Sequence, residues 1–136
     1  MNKDIRWRQR FLNFEKALLF LQTGCEQKKW TRLEEAGLVQ AFEFTFELGW
    51  KTLKDYLQEK GIHSNFPRDV IKDAFQMGVI VDGTTWIKML ETRNELSHIY
   101  NETQSRKALH IIKDEYFPSI YQIYLYLKNE IKCLTD

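Results

Sequence analysis

Residues 40–57 read QAFEFTFELGWKTLKDYL, and their apolar side chains recur with helical rather than strand periodicity. On a wheel with 100° per residue, the apolar and small positions of residues 38–57 cover an arc of about 240°. The narrow polar edge consists of four charged residues, Glu43, Glu47, Lys51 and Lys54. Because a surface helix needs an apolar stripe only a little wider than about 100°, the segment predicts a helix from about Thr31 to Glu59 that runs through the centre of a bundle or meets another subunit.

Turn and capping residues divide the rest of the chain into four more predicted helices. Only two prolines and six glycines occur in the sequence, and β-branched residues do not alternate with polar ones. The predicted helices run from about Lys3 to Thr23, from Pro67 to just before Gly78, from Asp82–Thr84 to about Tyr100, and from Thr103 to about Leu134. Pro118 lies inside the last of them, so we expect a kink between Asp114 and Pro118.

These segments predict an all-α fold, an antiparallel up-and-down helical bundle of four main helices plus one short helix. The chain has 136 residues, which is the length of about one domain, so we expect a single domain over residues 1–136. With 43% hydrophobic and 29% charged residues, the composition is typical of a globular protein and not of a disordered tail.

Charge and hydropathy exclude several classes of function. Twenty Lys and Arg against nineteen Asp and Glu leave a net charge of +1, so any RNA contact must be local. The longest apolar run, Ala17–Leu21, is far shorter than the roughly 20 residues that span a bilayer. No signal-peptide stretch follows the N-terminus, so we expect a cytoplasmic protein without membrane contact. Cys25 and Cys133 lack metal-ligand or disulfide-framework spacing, and we expect reduced thiols, no metal and no cofactor.

One arginine interrupts the apolar face of the fourth predicted helix. The residues within about 60° of Arg93 on the helical wheel form the predicted buried stripe, which consists of Trp86, Met89, Leu90, Leu96, Ser97 and Tyr100. Removing a guanidinium from water is costly unless the group is paired and hydrogen-bonded. Arg93 therefore has two explanations: an ion pair with Glu43 or Glu47 of the second helix, or a role in binding.

The ten residues that end at Tyr100 read ETRNELSHIY and gather groups suited to phosphate chemistry. Asn94 and His98 are four residues apart and share a helix edge, so the amide can orient the imidazole. Imidazole can act as a general acid or base near pH 7, and a guanidinium can hold a phosphate bidentately. We take Arg93, Asn94 and His98 as the candidate catalytic residues. Arg93, Ser97 and Tyr100 are the candidate binding residues for a phosphodiester or triphosphate, with no metal required.

The motif Arg-x4-His-x-Tyr, present from Arg93 to Tyr100, resembles that of HEPN domains. The wider string RNELSHIY resembles the nucleotidyltransferase substrate-binding protein family within that superfamily. The resemblance extends to QAFEFTFELGWKTLKDYL at residues 40–57 and to FPRDVIKDAFQMGVI at residues 66–80, and so covers most of the chain.

This resemblance implies a small helical bundle that pairs with itself and works beside a separately encoded minimal nucleotidyltransferase. Many members of the superfamily are metal-independent ribonucleases that act as toxins, and the paired nucleotidyltransferase can act as antitoxin by attaching AMP to the motif tyrosine. Carried to this chain, the resemblance implies that Arg93 binds phosphate and that His98 is the general acid or base. It also implies that Asn94 orients His98 and that Tyr100 accepts AMP.

Two functions are open on this evidence. The first is a substrate-binding partner of a minimal nucleotidyltransferase, which the closer resemblance and the near-neutral charge favour. The second is a metal-independent endoribonuclease silenced by nucleotidylation of Tyr100, which the complete set of Arg93, Asn94 and His98 favours. For both we expect a homodimer with the fourth helix close to the two-fold axis, because one chain offers one motif histidine and isologous dimers are the commonest oligomers.

Overall fold

The computed structural model describes the backbone of residues 3–96 and 102–135, and side-chain burial for residues 6–96 and 106–133. Throughout these ranges the regular structure is helical. The elements are α1 (Lys3–Cys25), α2 (Arg32–Glu59), α3 (Pro67–Gln76), α4 (Gly83–Leu96), α5 (Glu102–Ile111), a π-helical segment (Ile112–Tyr116) and α6 (Phe117–Thr135). Since α5, the π-helical segment and α6 follow one another without a loop, they form one long final helix, and the predicted all-α bundle with a short additional helix is confirmed.

Local chemistry accounts for where the central helix α2 begins and ends. The Thr31 hydroxyl accepts a hydrogen bond from the Glu34 backbone N–H at 3.1 Å, and the Glu34 carboxylate accepts one from the Thr31 N–H at 2.8 Å. This capping box satisfies two N–H groups that the first turn leaves without helical partners. After the other end of the helix, Gly61 has φ +85°, a left-handed conformation in which glycine carries no Cβ penalty.

Helix α2 occupies the centre of the bundle, as its wide apolar arc predicts. It packs against α1, α3, α5 and α6, and its buried residues belong to one hydrophobic core. Phe42, Phe46 and Leu53 are fully buried there. Phe44 belongs to the same predicted arc but is 60% exposed, so the described part of this chain does not cover the whole arc.

Phe14 of α1 and Trp86 of α4 both lie beside Gly49 of α2. A Cβ at Gly49 would stand 3.2 Å from Cε1 of Phe14, a tight contact, and 3.6 Å from Cη2 of Trp86, an ordinary van der Waals distance. Trp86 is fully buried and its ring centroid lies 5.8 Å from that of Phe46. Arg93 lies seven residues after Trp86, or about two turns further along α4.

Where the sequence predicts a kink, between Asp114 and Pro118, the structure contains the π-helical segment. The Phe117 N–H bonds to the carbonyl of Ile112, five residues earlier, which widens the helix immediately before the proline. Pro118 has no N–H, and in an α-helix its ring would clash with the carbonyl of Asp114. The wider turn accommodates this and lets α5 continue into α6.

Most helix boundaries agree with the sequence predictions within a few residues. Helix α1 continues through Gly24 to Cys25, two residues beyond the predicted end. Helix α4 is described to Leu96, so its predicted continuation to Tyr100 lies outside the described residues. None of the helices in the described ranges is long and apolar enough to cross a membrane.

Candidate functional site

Arg93 lies in the last turn of the described part of α4, where it faces the polar edge of α2. Its Nη2 stands 2.6 Å from Oε1 of Glu47, with side-chain exposures of 26% for Arg93 and 33% for Glu47. Nη1 donates to Oδ1 of the neighbouring Asn94 at 3.3 Å. The predicted ion pair with α2 is therefore present, and Glu47 rather than Glu43 is the residue in direct contact.

Two further groups hold Glu47 in place. The indole Nε1 of Trp50 donates to Oε2 of Glu47 at 3.1 Å, and Lys51 Nζ lies 3.9 Å from the same oxygen. Each carboxylate oxygen thus has its own partner, because Arg93 uses Oε1. Such an arrangement keeps the carboxylate in one orientation and presents it to the guanidinium.

The guanidinium also lies over an aromatic ring, since Cζ of Arg93 is 5.7 Å from the ring centroid of Phe46. A cation in this position is attracted by the ring quadrupole. Nε of Arg93 is buried and has no hydrogen-bond partner among the described residues. Arg93 is therefore held by its Nη groups and by the ring face, while its Nε–H has no acceptor within the described part of the chain.

Glu43 lies one turn before Glu47 on the same edge of α2. Burial raises the pKa of the Glu43 carboxyl, while the positive charge of Arg93 lowers it and the negative charge of Glu47 raises it again. Because the pKa of Glu43 is raised overall, the positive charge of Arg93 does not offset the combined effects of burial and of the Glu47 charge. The site is thus a shared cluster of two acids, Glu43 and Glu47, with Arg93 and the more distant Lys51 as the cations.

The structure brings together only part of the predicted set. Arg93 and Asn94 are adjacent and hydrogen-bonded, and Asn94 is exposed. The predicted residues Ser97, His98 and Tyr100 lie outside the described residues. Their roles and their distances to Arg93 therefore stay predictions.

Phe46 and Trp50 also shape the site, although neither is among the site residues predicted from the sequence. They lie four residues apart on α2, and each is within three residues of Glu43 or Glu47. The available signal was this spacing, because residues four apart on a helix are neighbours. Elsewhere on α4, the Thr92 and Tyr116 hydroxyls lie 2.7 Å apart and connect this helix to the π-helical segment.

Fold and site together define a small all-helical protein whose central helix holds an arginine of a neighbouring helix. The chain belongs to the family described as nucleotidyltransferase substrate binding protein like, whose family model matches residues 9–129.

The chain is also similar to two individual proteins. The chain is 31% identical over 84 residues to "Probable ribonuclease HepT" of Haemophilus influenzae, and the match covers 58% of this chain and 58% of that protein. It also resembles a crystal structure of a protein from Thermus thermophilus, with a TM-score of 0.79 and 31% identity over 84% of this chain and 98% of that chain.

Proposed function

We propose that this protein is the substrate-binding subunit of a two-component system with a separately encoded minimal nucleotidyltransferase. In this proposal, nucleotide or RNA phosphate binds at the motif from Arg93 to Tyr100. The family match over residues 9–129 is the observation that carries the proposal. The partly exposed guanidinium of Arg93 supports it, because a guanidinium can hold a phosphate with two parallel hydrogen bonds.

A bound phosphate would share the guanidinium with Glu47, whose Oε1 lies 2.6 Å from Nη2 of Arg93. The two anions repel each other, so Glu47 lowers the affinity for phosphate while it keeps Arg93 oriented. The substitution Glu47→Gln should therefore tighten phosphate binding, and Arg93→Met should abolish it. A fluorescent nucleotide titrated into the wild type and the two variants tests this order of affinities.

Complex formation tests the partner role directly. The proposal predicts that a neighbouring reading frame encodes a minimal nucleotidyltransferase. The protein and this enzyme are purified separately, mixed, and analysed by size-exclusion chromatography with light scattering. A stable complex supports the proposal. Absence of any complex at micromolar concentrations, with an active nucleotidyltransferase, would contradict it.

Modification of Tyr100 is the finer part of the proposal. Incubation with the partner enzyme, ATP and magnesium, followed by peptide mass spectrometry, should find AMP on Tyr100. The added phosphate would bring negative charge towards Arg93 and His98. The variant Tyr100→Phe should take up no AMP, whereas Tyr121→Phe, at a half-buried tyrosine of α6, should leave the adduct unchanged. An active partner that leaves Tyr100 unmodified would mean that the tyrosine is structural.

A homodimer completes the proposed site, with α4 close to the two-fold axis. A dimer would place two motif histidines near each other, and it would give the exposed part of the α2 arc around Phe44 a surface to meet. Light scattering should give twice the chain mass of 16.4 kDa. A monomer at micromolar concentration would overturn this part.

The second candidate function is a metal-independent endoribonuclease, which the resemblance to "Probable ribonuclease HepT" favours. In this reaction the ribose 2′-oxygen loses its proton and forms a bond to the adjacent phosphorus while the bond to the 5′-oxygen breaks. The leaving 5′-oxygen takes up a proton, and His98 carries out one of these two proton transfers, with water supplying or accepting the other proton. His98→Ala should then reduce RNA cleavage about 10²- to 10⁴-fold, with chelators having no effect. His110→Ala is the matched control, because the exposed His110 packs near Trp30, at a ring distance of 6.0 Å. Cleavage that survives His98→Ala would rule out His98 as the catalyst.

A further inference from the structure

A groove with a volume of about 630 Å³ lies between α3 and α4. Ligand sites in proteins have volumes of roughly 300–1,000 Å³, so the size is that of a small-molecule site. We call it the α3–α4 groove, and its principal lining residues are Ile71, Lys72, Phe75, Ile87, Lys88 and Glu91. On the helical wheel Ile87, Lys88 and Glu91 lie on the side of α4 away from Arg93, so the groove is separate from the site described above.

An aromatic ring forms part of the groove. Phe75 is 49% exposed although it is a large apolar side chain. A Cβ at Gly83 would stand 2.8 Å from Cδ1 of Phe75, so the ring lies against the backbone of the first turn of α4. The ring is thus supported on one side and open to solvent elsewhere. Ile71 is buried and Ile87 is half-buried, which gives the groove an apolar floor.

Two lysines line the groove, one from each helix: Lys72 from α3 and Lys88 from α4. Both are exposed, and within the described part of the chain neither lies within 4 Å of a carboxylate oxygen. Asp82 is close enough to Lys88 to interact with its charge, and Lys72 also lines a neighbouring cavity with Asp69 and Asp73. Among the described lining residues two lysines still stand against one carboxylate, Glu91, and this balance favours an anionic ligand.

We propose that the α3–α4 groove binds a nucleotide, with the base against Phe75 and Ile87 and the phosphate between Lys72 and Lys88. A planar aromatic group and an anion within one small molecule match an aromatic ring and two lysine side chains that line one cavity. The Glu91 carboxylate can accept a hydrogen bond from a ribose hydroxyl or a base amino group. The proposal goes beyond the proposed function and rests on none of the motif residues.

The groove lies on the same edge of α4 as Asn94, near the end of the described part of that helix. Thr84, Ile87, Glu91 and Asn94 recur at spacings of three or four residues and so lie along one edge of α4. The rise between Glu91 and Asn94 is about 4.5 Å. A nucleotide in the groove would therefore lie on the same helix edge as Asn94, one turn earlier.

Two-dimensional amide NMR of the purified full chain tests the proposal, with AMP, adenosine and inorganic phosphate as separate probes. AMP should bind with a Kd below about 1 mM and shift the amide signals of residues 71–76 and 83–91. Adenosine should bind about tenfold or more weakly, because it lacks the phosphate. Phosphate alone should give no saturable shift up to about 5 mM.

Matched variants test whether AMP binding depends on the groove residues rather than on a change of charge or apolar surface anywhere on the protein. Phe75→Ala should weaken AMP binding roughly 5- to 100-fold, as expected for loss of one stacked base, whereas Phe20→Ala, at an exposed phenylalanine of α1, should not. Lys88→Glu should weaken it at least about tenfold, whereas Lys29→Glu, in the exposed α1–α2 loop, should change it less than about twofold. Circular dichroism of each variant checks that the fold is intact.

Three results would overturn the proposal. The first is no saturable AMP binding up to about 5 mM, and the second is binding that is unchanged by both Phe75→Ala and Lys88→Glu. In the third result, nucleotides do not change the amide signals of the groove residues but the nucleotidyltransferase shifts them, which would make the groove a protein-docking surface. The position of the shifts separates the two proposals, because residues 71–76 and 83–91 report on the groove whereas Arg93 and Asn94 report on the motif. Saturable AMP shifts confined to Arg93 and Asn94 would overturn the groove and leave the proposed function standing, and no AMP binding anywhere would count against both.

Discussion

The ion pair between Arg93 and Glu47 should stabilise the fold by a measurable amount. Glu47→Gln removes the charge but keeps the shape, so it leaves a guanidinium that is only 26% exposed without its anion. Exposed ion pairs contribute about 0.2–1 kcal/mol, and breaking a fully buried pair costs about 3–5 kcal/mol. Because this pair is intermediate in exposure and short at 2.6 Å, we expect the free energy of unfolding to fall by about 1–2 kcal/mol.

Urea unfolding followed by circular dichroism measures this change in four proteins: the wild type, Glu47→Gln, Arg93→Met and the double variant. The double-mutant cycle should give a coupling energy of about 1 kcal/mol between the two side chains. Thermal unfolding should show a lower Tm for Glu47→Gln, by roughly 4 °C per kcal/mol for a chain of this length. Glu95→Gln is the matched control, because Glu95 is exposed on α4, and it should change stability by less than about 0.5 kcal/mol.

A coupling energy below about 0.3 kcal/mol would refute the reasoning, since additive effects of that size indicate independent sites. An effect of Glu47→Gln no larger than that of Glu95→Gln would do the same. Either result would mean that the fold tolerates Arg93 without Glu47, and that the conformation of Arg93 has another cause.

Three further outcomes follow from single positions. Gly37→Ala should raise the free energy of unfolding by about 0.5–1 kcal/mol, because nothing lies within 4 Å of the added Cβ. Gly49→Ala should raise it less, or lower it, because its Cβ would stand 3.2 Å from the Phe14 ring. Equal increases for the two variants in urea unfolding would contradict this prediction. Burial raises the pKa of the Cys25 thiol to about 11. A thiol reagent at pH 8 should therefore modify the exposed Cys133 rapidly and Cys25 only when the protein unfolds. Rapid modification of both thiols would show that Cys25 is accessible in the folded protein. Because burial raises the pKa of Glu43 in the folded state, that state binds the proton more tightly, and stability should fall as pH rises from 4.5 through the raised pKa. Glu43→Gln should remove this fall, and an unchanged pH slope in urea unfolding would show that another group causes it.

The amino-acid sequence by itself determined the helices of this protein. Thr31 and Glu34 begin α2, Pro67 begins α3, and positive φ at Gly61 and Gly78 follows the ends of α2 and α3. Each of these effects depends on the φ preference or hydrogen bonding of residues close together in the chain. The wide apolar arc of α2 likewise predicted its central position, since burial follows directly from the face that a helix presents.

The sequence also located the arginine that interrupts an apolar face, but it left Glu43 and Glu47 as equivalent partners. Only the tertiary structure selected Glu47, whose Oε1 lies 2.6 Å from Nη2 of Arg93, because the choice depends on how α4 lies along α2. The roles of His98 and Tyr100 stay predictions, since these residues lie outside the described part of the chain.

The α3–α4 groove was likewise decided by tertiary structure. Lys72 and Phe75 lie in the segment 66–80 and Lys88 in the next helix, and nothing in the spacing of these residues indicates that they line one groove. Helix formation depends on contacts between residues up to four positions apart. The pairing of side chains across helices depends on the relative rotation and height of the helices, which the close packing of the entire core determines.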